Sequence, residues 1–291
     1  MYKDDSASGA KVMNRRVDIF PAKRRALILD RLRLNGAASI QELSETIGGS
    51  ISTVRRDIEQ LVAEGYLERT HGGALLIQPP GATFEREPQL NAQMRHREKL
   101  AIGAEAARRL RDGDSVIFES SSTVFEAVKA AAACDLSLTV VTNSLDIGQF
   151  AAGVSKWRVV MPGGTIRPGS SALAGEPGET FFKTIHADVL VTGAWAVTGL
   201  YITDATLEVA SLKRAMVNSA RRTILLVDSS KFSAPGFCTF CEISAIDEVI
   251  TDNGIQPGDR AELERLGAKV TVVDVSQSLS SLGQSQNDAG S

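Results

Sequence analysis

The chain has 291 residues, 43% hydrophobic and 23% charged, close to the averages for soluble globular proteins, which argues against a wholly disordered or fibrous architecture and fits one large domain or two smaller ones. Its formal charge of -3 gives no global basic field, so any nucleic-acid partner has to be met by a local patch. No stretch approaches the roughly 18 uncharged apolar residues of a membrane span, and the first twenty residues lack the apolar core of a secretory signal, so a cytoplasmic location without a membrane partner is expected. Three cysteines are too few, and odd in number, for a disulfide scaffold. Cys238 and Cys241 form a C-x-x-C, but no second Cys pair or nearby His pair completes a zinc site. They read as small buried residues, and no metal or cofactor is expected.

Charge is unevenly distributed. Residues 11–71 carry 11 Lys and Arg against 8 Asp and Glu, whereas residues 72–291 carry 20 against 25, a basic front domain on an acidic body. Between them Gln78-Pro79-Pro80-Gly81-Ala82-Thr83 reads as the start of a linker over 79–96. Residues 276–291 are rich in Ser, Gln, Gly and Asn and cannot bury enough apolar surface to offset ordering entropy, so they are expected to be disordered, as are residues 1–20.

The front domain, 21–78, reads as helices followed by a hairpin. Over 22–34 the residues Ala26, Ile28, Leu29 and Leu32 recur at helical spacing, and Asn35-Gly36 stops the pattern. Ser39-Ile40-Gln41-Glu42 is a capping box that opens a short helix through Ile47, ended by Gly48-Gly49. Ser50 can cap a third helix whose apolar face holds Ile51, Val54, Ile58, Leu61 and Val62, and whose polar face holds Ser52, Thr53, Arg55 and Arg56. Two short helices across a Gly turn, the second presenting hydroxyls and arginines near its start, suit insertion into a DNA major groove, where the Arg fork pairs with guanine or phosphate. Residues 66–69 and 74–77 then make two short strands around Thr70-His71-Gly72-Gly73, a wing whose Arg69 and His71 are placed to meet phosphates. The competing reading is a helical hairpin for dimerisation with its arginines simply solvated; the local basic excess favours DNA.

Residues 23–76 resemble the winged helix-turn-helix of DeoR-type bacterial transcriptional regulators. The resemblance rests on Ser50-Ile51-Ser52-Thr53-Val54-Arg55-Arg56-Asp57-Ile58 and on Glu64-Gly65-Tyr66-Leu67-Glu68-Arg69-Thr70-His71-Gly72-Gly73-Ala74. It implies that the first segment is the recognition helix and that Ser52, Thr53, Arg55 and Arg56 contact DNA.

The body, 97–275, alternates strand and helix patterns. After a helical stretch over 97–110, strand candidates fall at 115–118, 138–142, 158–161, 187–192, 223–227 and 269–273, with helices at 124–132 and about 205–220. This rhythm predicts an α/β domain with a mostly parallel sheet, whose ligands sit beyond the carboxyl ends of strands. Four polar loops fall there: Glu119-Ser120-Ser121-Ser122-Thr123, Thr142-Asn143-Ser144-Leu145, Pro162-Gly163-Gly164-Thr165-Ile166-Arg167 and Asp228-Ser229-Ser230-Lys231-Phe232. The first leads into a helix N-terminus, which favours an anion. Lys213 adds a cation or is a solvated surface residue.

Residues 97–252 also resemble the sensor domain of the DeoR family through Thr142-Asn143-Ser144-Leu145, Gly163-Gly164, Lys213-Arg214-Ala215-Met216, Asp228-Ser229-Ser230-Lys231-Phe232 and Ile246-Asp247-Glu248-Val249-Ile250-Thr251-Asp252. The resemblance implies a fold like ribose-5-phosphate isomerase, a phosphorylated sugar or related effector, and contacts from Thr123, Asn143, Lys213 and Lys231. With the loop readings this gives a candidate effector set of Glu119, Ser121, Ser122, Thr123, Asn143, Gly163, Gly164, Lys213 and Lys231, beside a DNA set of Ser50, Ser52, Thr53, Arg55, Arg56, Arg69 and His71. The chain departs from the family pattern at Glu119 to Ser122, at Gly193-Ala194-Trp195-Ala196 and at Glu208-Val209. The expected function is a sequence-specific regulator, a repressor of carbohydrate genes, acting on a double-stranded operator as a homo-oligomer, dimer or tetramer. The alternative is a sugar-phosphate isomerase-like enzyme. It is disfavoured because Glu119 is the only acid in the hydroxyl loop and no histidine falls in the pocket loops.

Overall fold

The computed structural model describes residues 19–35, 37–70, 72–76, 88–166, 170–233 and 236–276, and the chain divides into two compact units, Met1–Ile77 and Gln78–Ser291. Apart from Ile19, Phe20 and Ser276, the stretches expected to be disordered lie outside the described residues.

In the first unit α1 (Pro21–Asn35), β1 (Ala37–Ser39), α2 (Ile40–Ile47), α3 (Ile51–Ala63), β2 (Leu67–Arg69) and β3 (Gly73–Leu76) follow one another. The capping box forms as the sequence predicts: the Glu42 N–H donates to Ser39 Oγ, and the Ser39 N–H donates back to the Glu42 carboxylate. Gly48 ends α2 at φ 74°, a left-handed conformation that a side chain makes costly. Leu29 and Leu32 of α1, Leu43 and Ile47 of α2, and Val54, Ile58 and Leu61 of α3 are buried. Arg24 forks onto the buried Asp57 carboxylate at 2.5 and 3.0 Å and also donates to the Ile19 carbonyl, fixing α1 against α3. The wing has a strand that the sequence reading lacks. β1 pairs antiparallel with β3 in the order β1-β3-β2, so closely that a Cβ on Gly73 would stand 2.0 Å from the Ala38 carbonyl oxygen. Three residues between a helix and a capping box show no alternation to detect.

The second unit begins with α4 (Pro88–Gln93), α5 (His96–Ala107), β4 (Ser115–Phe118), α6 (Ser122–Ala132), β5 (Thr139–Thr142), α7 (Leu145–Ala152), β6 (Arg158–Val160), β7 (Thr165–Ile166) and β8 (Leu173–Ala174). It continues with α8 (Gly178–Phe182), β9 (Ala187–Gly193), β10 (Ala196–Thr198), β11 (Tyr201–Asp204), α9 (Leu207–Asn218), β12 (Ala220–Leu226), β13 (Cys238–Glu242), β14 (Glu248–Asp252), α10 (Pro257–Arg265) and β15 (Lys269–Val273). Among the described residues seven strands form one sheet in the order β15-β14-β12-β9-β4-β5-β6, every neighbouring pair parallel. Alternate residues enter opposite layers. Val116, Phe118, Val189, Val191, Ile224 and Leu226 pack with Ile102, Val124 and Val128 of the α5 and α6 side, whereas Ile117 and Leu190 pack with Phe182, Leu212 and Met216 of α8 and α9. Both faces of the central strands are covered, which is why the middles of β4, β5 and β9 read as apolar runs.

One expectation is corrected here, and two features are added that the sequence reading lacks. The linker expected over 79–96 includes α4 and the start of α5: Leu90 and Met94, one helical turn apart, are buried, and Lys99 donates to the Asn91 carbonyl. β14, absent from the expected strands, carries acids at both ends, which depress strand propensity but here have donors. A separate antiparallel sheet, β10-β11-β13, carries Cys238 and Cys241 on β13, both packed with one core cluster, and burial pushes both thiols up, Cys241 to about 12.

Glu248, at the start of β14, accepts from Arg109 Nε at 3.0 and 3.1 Å, from Thr271 Oγ1 at 2.7 Å and from Lys269 at 3.1 Å. Burial opposes its charge, but Arg109, Thr271 and Lys269 outweigh burial and hold the carboxyl at about 2. A depressed folded value means that the stabilisation is complete above the unfolded value of about 4.3 and is lost as pH falls towards 2. Glu248→Gln is therefore expected to cost on the order of 3 kcal/mol at neutral pH and to flatten the acid limb of the stability profile between pH 4.5 and 2, as read from urea unfolding. A variant with the wild-type acid limb would assign that limb to other carboxylates.

Candidate functional site

The first candidate surface lies on α3. Ser50 caps the helix by accepting from the Thr53 N–H at 3.2 Å, and its Oγ lies 2.9 Å from Ser52 Oγ and 2.7 Å from Thr53 Oγ1. These hydroxyls gather at a helix N-terminus, where backbone N–H groups favour an anion. Ser52, Arg55 and Arg56 are exposed and Thr53 is half-buried. Arg55 of α3 and Arg69 of the wing share a groove of about 670 Å³ with Ile40, Gln41, Ile51, Thr70 and Gly72. Arg69 reaches Glu59 only at 3.8 Å, an exposed pair that restrains it little. Arg56 is not part of that groove lining, and His71 lies outside the described residues.

The second surface follows from topology. In a parallel sheet all carboxyl ends fall on one edge, and the strand order of this sheet reverses beside β4, with β5 and β6 laid down on one side and β9, β12, β14 and β15 on the other. The loops leaving β4 and β9 diverge there and open a crevice. A cleft of about 250 Å³ occupies this position, lined by Glu119, Ser120, Ser121, Ser122 and Phe125 after β4, by Ala194 and Trp195 after β9, and by Asp204, Val209, Lys213 and Lys231. Asn91, Ala92, Ser144, Asp146, Ser170, Ser171 and Ala172 complete it.

Lys213 is the centre of the cleft floor. Its buried ammonium lies 2.7 Å from Asp204 Oδ2, 3.4 Å from Glu119 Oε1 and 3.1 Å from the Gly193 carbonyl, and 5.4 Å from the Phe240 ring centre. Burial disfavours its charge, but Asp204 and then Glu119 outweigh burial and raise its pKa. Glu119 in turn accepts from Ser120 Oγ and from the Gly193 N–H, both at 3.1 Å. Gly193 is required at this point, because a Cβ there would stand 2.4 Å from Ser121 Oγ. Ser121 caps α6 by accepting from the Val124 N–H. At the other end of the cleft the Lys231 ammonium lies 5.2 Å from the Trp195 ring centre. The adjoining Asp228 is held at about 2: burial opposes its charge, and Lys231, Lys99, Ser230 and Arg95 outweigh it.

Of the residues expected to bind an effector, Glu119, Ser121, Ser122, Lys213 and Lys231 meet in this cleft. Thr123, Asn143, Gly163 and Gly164 are not part of its lining. Thr123 is buried in the first turn of α6. Asn143 is buried and donates to Ser120 Oγ at 3.3 Å and to the Leu173 carbonyl at 3.1 Å, so it holds the wall from behind. A Cβ on Gly163 would meet Pro177 at 2.6 Å, and Gly164 turns at φ 152° against Ala174, so the close approach that a Gly pair allows is made by the chain itself. Lys213 is buried, not solvated. The sequence reading lacked Asp204, Asp146, Ser170, Ser171 and Asn91. Asp204 was detectable as an acid ending a short strand just before a helix, whereas Asn91 fell in the stretch read as linker.

Comparison with known proteins gives matches over both units. Residues 24–79 match the DeoR-like helix-turn-helix domain and residues 94–253 the DeoR C terminal sensor domain. Similar proteins include the HTH-type transcriptional regulator GlpR of Haloferax volcanii, 31% identical over 88% of this chain and 98% of that one. They also include the lactose phosphotransferase system repressor of Lactococcus lactis subsp. lactis, 31% identical over 81% of this chain and 93% of that one. Among solved structures, ribose 5 phosphate isomerase A from Neisseria gonorrhoeae aligns with a TM-score of 0.36 and 14% identity over 50% of this chain, which spans about half (55%) of that one, a likeness too low to carry an argument.

Replacing Lys213 with Met leaves Glu119 and Asp204 buried without their shared cation. The expected loss is about 3 to 5 kcal/mol in the absence of any ligand. Thermal melts of Lys213→Met and of the double variant Lys213→Met, Asp204→Asn test this: the second substitution removes one stranded charge and should recover part of the loss.

Proposed function

Since the chain belongs to the DeoR family of transcriptional regulators, and is on that footing a DNA-binding regulator, we propose that it is a sequence-specific repressor of carbohydrate-metabolism genes whose operator affinity is changed by an anionic sugar derivative, most simply a phosphate ester. In this reading residues 21–78 read the operator, residues 97–275 sense the effector, and the protein works in the cytoplasm, where the chromosome is. One helix-turn-helix contacts too few base pairs to be selective alone, so a dimer or tetramer on repeated half-sites belongs to the same reading.

The observation that carries the effector reading is the composition of the cleft: Lys231 and the Ser121-capped start of α6 supply attraction for an anion, while Ser120, Ser122, Ser144 and Ser170 supply hydroxyl partners for a polyol. We assign Glu119 and Asp204 to ligand binding and not to proton transfer, since Lys213 engages both. The protein is on this reading not an isomerase, although the cleft holds more acid than the hydroxyl loop alone offers.

Two measurements test the proposal. Operator fragments selected from genomic DNA by the wild-type protein should bind Arg55→Ala and Arg56→Ala more weakly, with unchanged folding by circular dichroism. A lost base contact costs about 1 to 3 kcal/mol and relaxes specificity at one position, and a lost phosphate contact lowers the salt slope by about one. Wild-type affinity in both variants would remove these side chains from the interface. Lys231→Met keeps the stem and removes the charge, so calorimetry should show weaker binding of sugar phosphates with unliganded operator affinity near normal. Equal binding of free and phosphorylated sugars, unchanged by Lys231→Met, would refute the anion pocket.

A further inference from the structure

The apolar stripe of α3 holds Val54, Ile58 and Leu61, all of them buried. By its spacing Ile51 heads the same stripe, one turn before Val54, yet it is 50% exposed. It lies in the first turn, beside the Ser50 cap, and lines the groove that it shares with Arg55, Gln41 and the wing residues Arg69, Thr70 and Gly72. Arg55 stands one turn further along the same side of the helix and is exposed, as are Gln41 and Arg69. The hydroxyls of Ser52 and Thr53 gather instead about the cap, at 2.9 and 2.7 Å from Ser50 Oγ. A single exposed apolar side chain needs no explanation on an ordinary surface. Here it stands among charged and polar groups at a helix start, where an acid in the first turn would stabilise the helix better than a β-branched residue does.

We propose that Ile51 is a specificity-determining residue of the operator interface, which reads thymine by packing on its C5-methyl group in the major groove. The edges of the base pairs there offer donors and acceptors to polar side chains, and their apolar mark is that methyl. The residues at the start of a recognition helix are the ones that reach base edges. Arg55, on the same side, pairs with a guanine edge or a phosphate, so the two side chains divide the reading: the guanidinium takes charge and hydrogen bonds, the branched alkyl group takes shape. An apolar protein surface fits the groove less well, because covering Ile51 would strip water from Arg55 and Arg69 without offering an anion in return. This inference rests on the operator reading above and adds to it the base that the first turn of α3 selects.

The test uses the full chain and an operator duplex selected by the wild type from random DNA, in which each thymine is replaced in turn by deoxyuridine. That exchange keeps the base pair and its hydrogen-bonding edge and removes the methyl alone. For the wild type at least one such exchange should weaken binding about threefold to fivefold, the effect of one buried methyl group. Ile51→Ala should bind the thymine operator more weakly and lose its sensitivity to deoxyuridine at that position, while penalties at any other thymines persist. Ile51→Val, which keeps a branched apolar group, should retain most of the penalty. A merely structural role for Ile51 would shift thymine and deoxyuridine operators equally, so an undiminished penalty in Ile51→Ala overturns the proposal. So does a wild type indifferent to deoxyuridine at every position, and in both cases the operator reading stands if Arg55→Ala still weakens binding. If selection returns no preferred sequence, both that reading and this inference fall together.

Discussion

The buried Lys213 ammonium is the interaction on which the sensor unit's edge depends. It projects from α9 and meets Asp204 at the end of β11, Glu119 at the end of β4 and the carbonyl of Gly193 at the end of β9. Three elements from distant parts of the chain are thereby fixed to one charged atom. A lone buried ammonium would lose its proton or unfold its surroundings; two carboxylates and a carbonyl reverse that balance, as the raised pKa records. The same contact commits the most buried cation of the cleft to protein partners, while the outer Lys231 stands against Trp195 and helps to keep the buried Asp228 carboxylate ionised.

The position of the cleft is a consequence of strand order more than of any single residue. Parallel pairing forces the carboxyl ends of β4, β9 and β12 onto one edge, and the reversal beside β4 parts the loops that follow β4 and β9. Small residues then set how far the gap closes. Gly193 lets the Ser121 hydroxyl come against β9, and Asn143 holds Ser120 from behind. Polar groups at this edge are consequently either donors and acceptors for one another or lining for the cleft, and the sequence pattern alone does not say which.

That ambiguity explains what was legible in the sequence. The capping box at Ser39, the Gly48 stop and the Ser50 cap are local devices with fixed spacing, so α2, α3 and the polar face of Arg55 and Arg56 could be read directly. The runs 115–118 and 269–273 became β4 and β15 at the same residues: β4 is a short apolar run buried in the middle of the sheet, and β15, at the sheet's end, alternates β-branched residues with polar ones. β1 and the β10-β11-β13 sheet were not legible, since strands of three to five residues with mixed polarity have no clear period. The Gly163-Gly164 pair misled for a related reason. Glycine reports that something approaches closely, not whether that neighbour is a ligand or the ring of Pro177.

Asp228 shows how long-range charge escapes a local reading. In the sequence it is one acid beside Lys231 in a short polar loop. In the fold it is buried at the end of β12, and its ionisation is held by Lys99 and Arg95 from α5 and its N-terminal cap as well as by Lys231. Lys99 also donates to the Asn91 carbonyl, and Asn91 lines the cleft. The ammonium beside Trp195 and the backbone of α4 therefore answer to one carboxylate, so the seat of α4 is electrostatically tied to the cleft that it helps to wall.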